Sequence, residues 1–243
     1  MPALSFVPGL LGWNGNTPNV ADTSSKTSCA IAADLLRTLG VTARVSHTGQ
    51  TAGRLLEEAV HDHLRSALPF ALNGRSVGVS RRTVISDFEQ YEHLAALKHL
   101  IDQDATGTLR ATIGTDYQVK PDVTVGLASG VGSPFLHAAV PCKWTLRSDR
   151  AQNVRHEAVI LIRHRRGRLP HITPVTAEPM PTRLASLARG TAEVDALYHV
   201  ALDELTAAVR ASGAREQIDV LEELVGHRRL FDLSDLAAVL QTS

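Results

Sequence analysis

The chain has 243 residues, of which 44% are hydrophobic, and its 25 lysines and arginines balance its 25 aspartates and glutamates. This length and composition suit a folded globular protein with a sizeable core and exclude a disordered or fibrous one. No apolar run approaches the roughly 20 residues that span a bilayer, and the N-terminus lacks the basic and apolar regions of a secretory leader.

The N-terminal half is predicted to be a loop-like arm followed by helices. The arm covers the first 28 residues, which are rich in Gly, Asn, Thr, Ser and Pro. Apolar residues then recur at helical spacing in two segments, which end where Gly40 and Pro69 stop a helix. In a third segment Ser86 and Glu89 form a capping box, which marks the start of a helix. The predicted helices cover residues 29–39, 55–68 and 86–101.

The C-terminal half alternates short β-type runs with helical patterns. The predicted strands cover residues 123–128, 137–144 and 171–177; one helix of about 18 residues begins at Ser148, and two more cover 197–211 and 216–226. Pro141 inside the second strand indicates an edge strand or a bulge. Strands interleaved with helices predict an α/β fold with a mixed central sheet flanked by helices. Because no domain boundary or repeat is visible, we expect a single domain over residues 1–243.

Two cysteines, Cys29 and Cys142, are present in the sequence. They are too few for a disulfide framework, and neither belongs to the paired C-x-x-C pattern of a zinc finger. Few cysteines are typical of proteins in reducing compartments, so we expect a cytoplasmic protein that does not bind membranes.

The neutral total hides an uneven distribution of charge. Residues 143–168 carry eight lysines and arginines against two acids, whereas residues 193–235 carry ten acids against four arginines. A strongly positive segment is suited to a polyanion such as nucleic acid. It is equally typical of a solvated helical face, so charge alone does not choose between the two interpretations.

Asp122, Lys143 and Glu157 are spaced so that one site can contain all three. Asp122 precedes one predicted strand, Lys143 lies near the end of the next, and Glu157 is on the helix that follows. Carboxylates hold Mg²⁺, the metal polarises a phosphate and orients or deprotonates water, and a nearby lysine stabilises negative charge. The trio is typical of phosphodiester hydrolysis, although this spacing also occurs often by chance.

A second cluster, Arg147, Asp149 and Arg150, lies at the start of the helix that Ser148 is predicted to cap. In the major groove, arginine donates bidentately to O6 and N7 of guanine, and aspartate accepts from N4 of cytosine. A helix N-terminus also favours a nearby phosphate. The cluster is therefore suited to reading G·C base pairs.

These residues lie in a longer stretch that resembles a known family. Residues 141–202, which include KWTLRSDRAQN, are similar to the catalytic and recognition core of the NgoMIV-type restriction endonucleases. The likeness continues through GQTAGRLLEEAV (49–60), YEHLAAL (91–97), GTDYQVKPDVTV (114–125) and LFDLSDL (230–236). It covers most of the chain and implies a restriction-endonuclease-like fold. Members of this family are type II enzymes of the PD-(D/E)xK superfamily that cut CCGG-centred sites.

The resemblance implies roles in the active site for four residues. Asp122 matches the metal-binding aspartate, Lys143 the catalytic lysine, and Glu157 the metal-binding acid that the family carries on the helix. Glu57 matches a further active-site glutamate, whereas helical phase alone would class it as a surface charge. The family has a serine two positions before the lysine. This chain has Pro141 there, so any hydrogen bond from that side chain is absent.

The resemblance also implies a DNA target and the residues that read it. Residues matched to DNA contacts are Arg147, Asp149 and Arg150 for the central CCGG, Arg183, Asp22 and Ser24 for the outer base pair, and Gln50 for the minor groove. The implied target is GCCGGC in double-stranded DNA, cut after the first G with Mg²⁺ as cofactor. A palindromic target requires two-fold symmetry, so we expect at least a homodimer. The family further implies a homotetramer and a cognate DNA methyltransferase.

Two other functions stay open on the sequence alone. A non-catalytic DNA-binding regulator on the same fold would keep the R-S-D-R cluster but would not need Asp122, Lys143 and Glu157 together. A structure-specific nuclease, such as a junction resolvase, would keep the catalytic trio but would not need base-reading residues. The presence of both sets favours a site-specific endonuclease.

Overall fold

Residues 3–45, 49–190 and 193–242 are described by a computed structural model. The helices in these ranges are α1 (Val7–Leu10), α2 (Lys26–Thr38), α3 (Gly49–Ala67), α4 (Glu92–Gln103), α5 (Thr108–Ile113), α6 (Ser148–His164), α7 (Pro181–Ala188), α8 (Leu202–Ser212), α9 (Arg215–Gly226) and α10 (Leu236–Gln241). The strands are β1 (Trp13–Asn14), β2 (Thr17–Pro18), β3 (Ala71–Leu72), β4 (Arg75–Arg81), β5 (Val123–Leu127), β6 (Phe135–Val140), β7 (Cys142–Lys143), β8 (His171–Ile172), β9 (Val175–Thr176), β10 (Leu197–His199) and β11 (Leu230–Asp232). Short 3₁₀ turns lie at Ile85–Asp87, Glu89–Tyr91 and Leu233–Asp235.

The central sheet is mixed. Five strands lie in the order β3-β4-β5-β6-β8, with antiparallel neighbours from β3 to β6 and a parallel pair between β6 and β8. All five residues of β5 are buried, because strands lie on both of its sides and helices pack nearby. Helix α3 packs against β4, β5 and β7, while α2 packs against α8 and α7 against α9. The predicted α/β fold with a mixed sheet flanked by helices is confirmed.

Pro141 marks the point where the chain leaves one sheet and enters another. Strands β7, β9, β10 and β11 form a second, all-parallel sheet in the order β11-β10-β9-β7. The two sheets remain connected, because Thr173 N donates to Ala139 O at 3.0 Å and Val175 N donates to Pro141 O at 2.8 Å. Proline has no N–H to continue a ladder. The predicted strand 137–144 is therefore two strands: β6 lies inside the first sheet, whereas β7, directly after Pro141, is an edge strand of the second.

Other element boundaries also differ from the prediction. Ser86 does not cap a helix; it is buried in a 3₁₀ turn, and α4 begins only at Glu92. The segment that begins at Leu197 is a buried strand, because β10 lies between two other strands, and its helix begins at Leu202. At the start of α6 the cap position is Arg147 and makes no side-chain capping bond, so Ser148 is not the expected cap.

The N-terminal arm has little regular secondary structure, but it packs against the rest of the protein. Residues 1–2 lie outside the described residues, and the rest of the arm contains α1 and the β1–β2 hairpin before α2 begins. Val7, Leu11 and Val20 are almost fully buried and join the main hydrophobic core. The indole Nε1 of Trp144 donates to Asn19 O at 3.1 Å. These contacts place the arm against the segment that leads into α6.

None of the helices in the described ranges is long and apolar enough to cross a bilayer. The described thiols of Cys29 and Cys142 are both free.

His199 on β10 is a fully buried histidine whose titration is linked to folding. Its side chain accepts a hydrogen bond at Nδ1 from Ala201 N, at 3.0 Å. Burial lowers the pKa of His199 from its ordinary value of 6.5 to about 4. Between these two pH values the unfolded chain binds more protons at this residue than the folded chain does. The folded state is therefore destabilised as the pH falls from neutral towards 4.

We expect His199 alone to remove about 2 kcal/mol of the free energy of unfolding between pH 7 and pH 5. Denaturant unfolding at both pH values should be compared for the wild type and His199→Asn, which keeps an acceptor near Ala201 N. The variant should lose less stability on acidification than the wild type. If acidification lowers the free energy of unfolding equally in the two proteins, His199 is not the group whose titration destabilises the fold.

Candidate active site

Asp122 and Lys143 meet where the pairing of β5 with β6 ends. Val123 pairs with Val140 in this antiparallel ladder, so the residue before β5 lies beside the residues that follow β6. Pro141 offers no N–H, and the next amide, Cys142 N, donates to Asp122 Oδ2 at 2.8 Å. Lys143 Nζ donates to the same oxygen, also at 2.8 Å. The structure thus brings these two predicted site residues into direct contact.

Charge keeps the Lys143 ammonium protonated although the side chain is four-fifths buried. Burial lowers the pKa of Lys143, but the attraction of Asp122 and Glu157 and the hydrogen bond to Asp122 outweigh it, so the net pKa is raised. A charged lysine beside a carboxylate is available to stabilise further negative charge.

Glu157 lies on α6, close enough to interact electrostatically with both Lys143 and Asp122. Burial raises the pKa of Glu157 and Asp122 raises it further, while Lys143 opposes this shift. No residue in the described ranges donates a hydrogen bond to its carboxyl group. Its oxygens are therefore available to a ligand.

Glu57 is a buried residue of α3, and not the surface charge that helical phase alone indicates. Arg82, which directly follows β4, donates to Glu57 Oε2 from Nε at 3.1 Å and from Nη2 at 2.9 Å. A weaker contact comes from Arg81 Nη2 at 3.4 Å. Arg82 has a φ of +53°, in the left-handed region that few non-glycine residues adopt. Strain of this kind is often found beside functional sites.

A cavity of about 460 Å³ opens over this chemistry. Its lining includes Glu57, Arg82 and Lys143 together with Gln50 and Arg150. Arg150 is half-buried, and its Nη1 donates to Thr145 Oγ1 at 3.0 Å. Two of the predicted DNA-reading residues therefore open to the same space as the predicted catalytic lysine.

A second cavity, of about 470 Å³, gathers other predicted DNA-reading residues from three separate segments. Its lining includes Asp22 and Ser24 of the arm, Arg147 before α6, and Arg183 of α7. Arg183 forms an ion pair with Asp22, and the Ser24 hydroxyl donates to Asp22 Oδ1 at 2.7 Å. The Ser24 hydrogen bond and then Arg183 lower the pKa of the Asp22 carboxyl. Asp149 is exposed on the first turn of α6.

Sequence reasoning missed two charged residues, one that lines the first cavity and one that is buried beside lining residues of the second. Arg82 follows β4, a strand that was not predicted because Val77 and Val79 are its only large apolar residues. Glu178 is fully buried between β9 and α7, where a single acid in an otherwise apolar stretch was the only available signal. Cys142 is adjacent to the site, but burial raises the pKa of its thiol strongly, which is typical of a packed, unreactive residue.

The site offers carboxylate oxygens to a metal, but few of them. In the part of the chain that the structure describes, no group of three or more His, Cys, Asp or Glu side chains converges on one point. Asp122 and Glu157 are the two carboxylates around Lys143 that no arginine neutralises. This sparse set of oxygens is compatible with a divalent ion that keeps most of its water.

The chain is similar to known restriction enzymes. The NgoMIV restriction enzyme family matches the chain over residues 12–129 and 127–241. The type II restriction enzyme NgoMIV of Neisseria gonorrhoeae is 38% identical over 252 residues, covering 89% of this chain and 87% of the relative. A crystal structure of the pre-specific restriction endonuclease BsaWI in complex with DNA matches with 12% identity and a TM-score of 0.35, covering 74% of this chain but only 65% of the other. The chain belongs to the NgoMIV restriction enzyme family of type II, site-specific deoxyribonucleases.

Proposed function

We propose that the protein cuts double-stranded DNA at a CCGG-centred palindrome, GCCGGC, after the first G and with Mg²⁺ as its cofactor. The observation that carries this proposal is the contact of Asp122 with Lys143, at 2.8 Å, beside the unengaged carboxyl group of Glu157. Arg150 opens to the same cavity as Lys143, so a duplex read at the start of α6 would present its backbone to that site.

The residues present fit a magnesium ion. Asp122 Oδ2 is occupied by two donors, so Oδ1 is the oxygen that would bind the metal together with Glu157. One or two carboxylates, completed by water and substrate phosphate, are the ligands that Mg²⁺ usually has in such enzymes. When bound, the ion would polarise the scissile phosphate and lower the pKa of a water molecule.

Each side chain of the site has a role in this hydrolysis. Lys143 positions the attacking water and stabilises the negative charge that develops on the phosphate oxygens. Asp122 holds the Lys143 ammonium in place through its hydrogen bond. Glu57, fixed by Arg82, contributes a carboxylate group to the wall of the cavity. Attack is in line with the leaving oxygen, and no covalent enzyme intermediate forms.

Base reading is divided between the two cavities. Arg147, Asp149 and Arg150 at the start of α6 would contact the central G·C pairs, where arginine and aspartate match guanine and cytosine edges. Arg183, with Asp22 and Ser24, would read the outer base pair, and Gln50 would contact the minor groove. Arg183 is already oriented by its ion pair with Asp22.

A palindromic target implies a symmetric assembly. Two copies related by a two-fold axis would each read one half-site. By likeness to the family, we extend this to a homotetramer of two back-to-back dimers that binds two sites. Such an enzyme acts in the cytoplasm of its host and needs a cognate methyltransferase to protect the host DNA.

Digestion of a fully sequenced phage genome tests the activity, the target and the cut position together. In the presence of Mg²⁺ we expect discrete fragments whose ends all lie after the first G of GCCGGC. Sequencing of the fragment ends provides the measurement. Ends scattered over unrelated sequences, or placed at branched DNA only, would instead favour a structure-specific nuclease.

Asp122→Ala and Lys143→Ala should each lower the cleavage rate by at least about 100-fold, because each removes charge from the reacting centre. Specific binding should remain, since neither residue contacts base edges. Plasmid cleavage and gel-shift assays measure the two properties separately. Lys98→Ala, which removes an exposed lysine of α4, is the matched control and should cleave normally. Cleavage at the wild-type rate by both active-site variants would exclude this site.

Arg147→Ala should reduce discrimination at its base pair by roughly 1–3 kcal/mol, or about 5- to 150-fold. The ratio of affinities for the cognate duplex and a duplex with one central substitution is the measurement. Arg163→Ala, an exposed arginine near the other end of α6, serves as the control. It should leave that ratio unchanged. An unaltered ratio in Arg147→Ala would refute the base-reading role.

A further inference from the structure

Glu178 is a fully buried carboxylate that none of the roles above includes. It lies between β9 and α7, and both of its oxygens are engaged. Oε2 accepts from Leu146 N at 2.8 Å, and Oε1 accepts from Met180 N at 3.1 Å. Arg183 Nη1 lies 3.7 Å from Oε1. One side chain therefore connects three groups that belong to two different segments of the chain.

Both segments carry proposed DNA-reading residues. Leu146 is buried and directly precedes Arg147, so the bond to its amide fixes the backbone from which that exposed arginine projects. Met180 is the N-terminal cap residue of α7, the helix that carries Arg183. The Glu178 carboxylate thus lies behind the cavity that Arg147 and Arg183 line together.

A carboxylate in such a place is costly unless its partners are well arranged. Burial raises the pKa of Glu178, whereas the two amides and Arg183 lower it. Removing a buried charge from water is offset only when the donors around it have good geometry. A hydrocarbon side chain would fill the same volume but would fix neither amide. The arrangement therefore indicates that Glu178 orients its hydrogen-bond partners and does not simply fill space.

We propose that Glu178 is a positioning residue for specificity, which holds the Leu146 backbone and the Arg183 guanidinium in a fixed relation so that central and outer base pairs are read together. The inference rests on the proposed function, because it takes Arg147 and Arg183 to be base-reading residues. Glu178 itself does not contact DNA in this proposal. It acts through the two arginines.

The variant Glu178→Gln tests this with little change in volume. Glutamine has one acceptor oxygen and one amide nitrogen, so one of the two N–H donors now faces a donor. We expect discrimination against single substitutions to fall at least about five-fold at both the central and the outer positions. Arg183→Ala should lower discrimination most strongly at the outer position. The double variant should lose no more at the outer position than Arg183→Ala alone, since Glu178 acts there through that guanidinium.

Asp232→Asn is the matched control for a general loss of stability. Asp232 is also a buried carboxylate that accepts from two amides, Leu202 N at 2.8 Å and Ser234 N at 2.9 Å, but it lies on β11 at the far edge of the second sheet. Thermal unfolding of both variants shows whether they are equally destabilised. Asp232→Asn should keep the wild-type discrimination at every position.

Each outcome distinguishes the inference from the proposed function. A wild-type enzyme that discriminates between duplexes, with Glu178→Gln discriminating equally well, overturns the inference alone. The same holds if Asp232→Asn relaxes specificity as much as Glu178→Gln does. A wild type with no sequence preference overturns the proposed function, and the inference with it.

A second measurement tests the inference if the Glu178→Gln variant does not fold. If Glu178 couples the two readers, the effects of Arg147→Ala and Arg183→Ala on cognate cleavage should be non-additive by at least about two-fold. Additive effects in this double-mutant cycle would overturn the inference.

Discussion

The candidate active site depends on an interruption of the β-ladder at Pro141. Because proline has no N–H, the pairing of β5 with β6 cannot continue, and the Asp122 carboxylate takes the place of the missing ladder partner for Cys142 N. The same oxygen receives the Lys143 ammonium. Where the family is expected to have a serine, this chain thus has a residue that ends one sheet and begins the next. The break sets the position of both charged groups relative to the core.

Helix α6 connects the proposed cleavage site to the proposed DNA-reading residues. Arg147 and Arg150 lie at its start, while Glu157 lies ten residues after Arg147, a distance of about 15 Å along a helix. Val154, Ala158 and Leu161 are buried and hold the helix against the core, so the two ends of this span cannot move independently. Because α6 is rigid, a duplex bound at its start would lie at a fixed distance from the Glu157 carboxyl group.

Much of this site followed from local sequence, and the remainder depended on tertiary contacts. The contact of Asp122 with Lys143 could be anticipated because consecutive antiparallel strands bring the start of one beside the end of the next. The burial of Glu57 could not, since its partner Arg82 follows a strand with little apolar pattern. The role of Glu178 could not be anticipated either. One of its donors is an amide 32 positions earlier, and the other is the amide of the residue that caps α7. The pattern of one sequence shows periodicity along the chain. The burial and the partners of Glu57 and Glu178 depend instead on segments that are distant in sequence.

The proposed DNA-binding surface differs from the rest of the surface in how its arginines are paired. Acids in the C-terminal region are partly neutralised locally, as Glu223 is by Arg189 and Asp219 is by Arg215. Arg147 and Arg150, in contrast, form no ion pair with any acid in the described ranges. Their charges remain uncompensated beside the Lys143 cavity and the Arg183 cavity. A chain with zero net charge can thus attract a polyanion locally, because Arg147 and Arg150 carry positive charge that no acid in the described ranges pairs with.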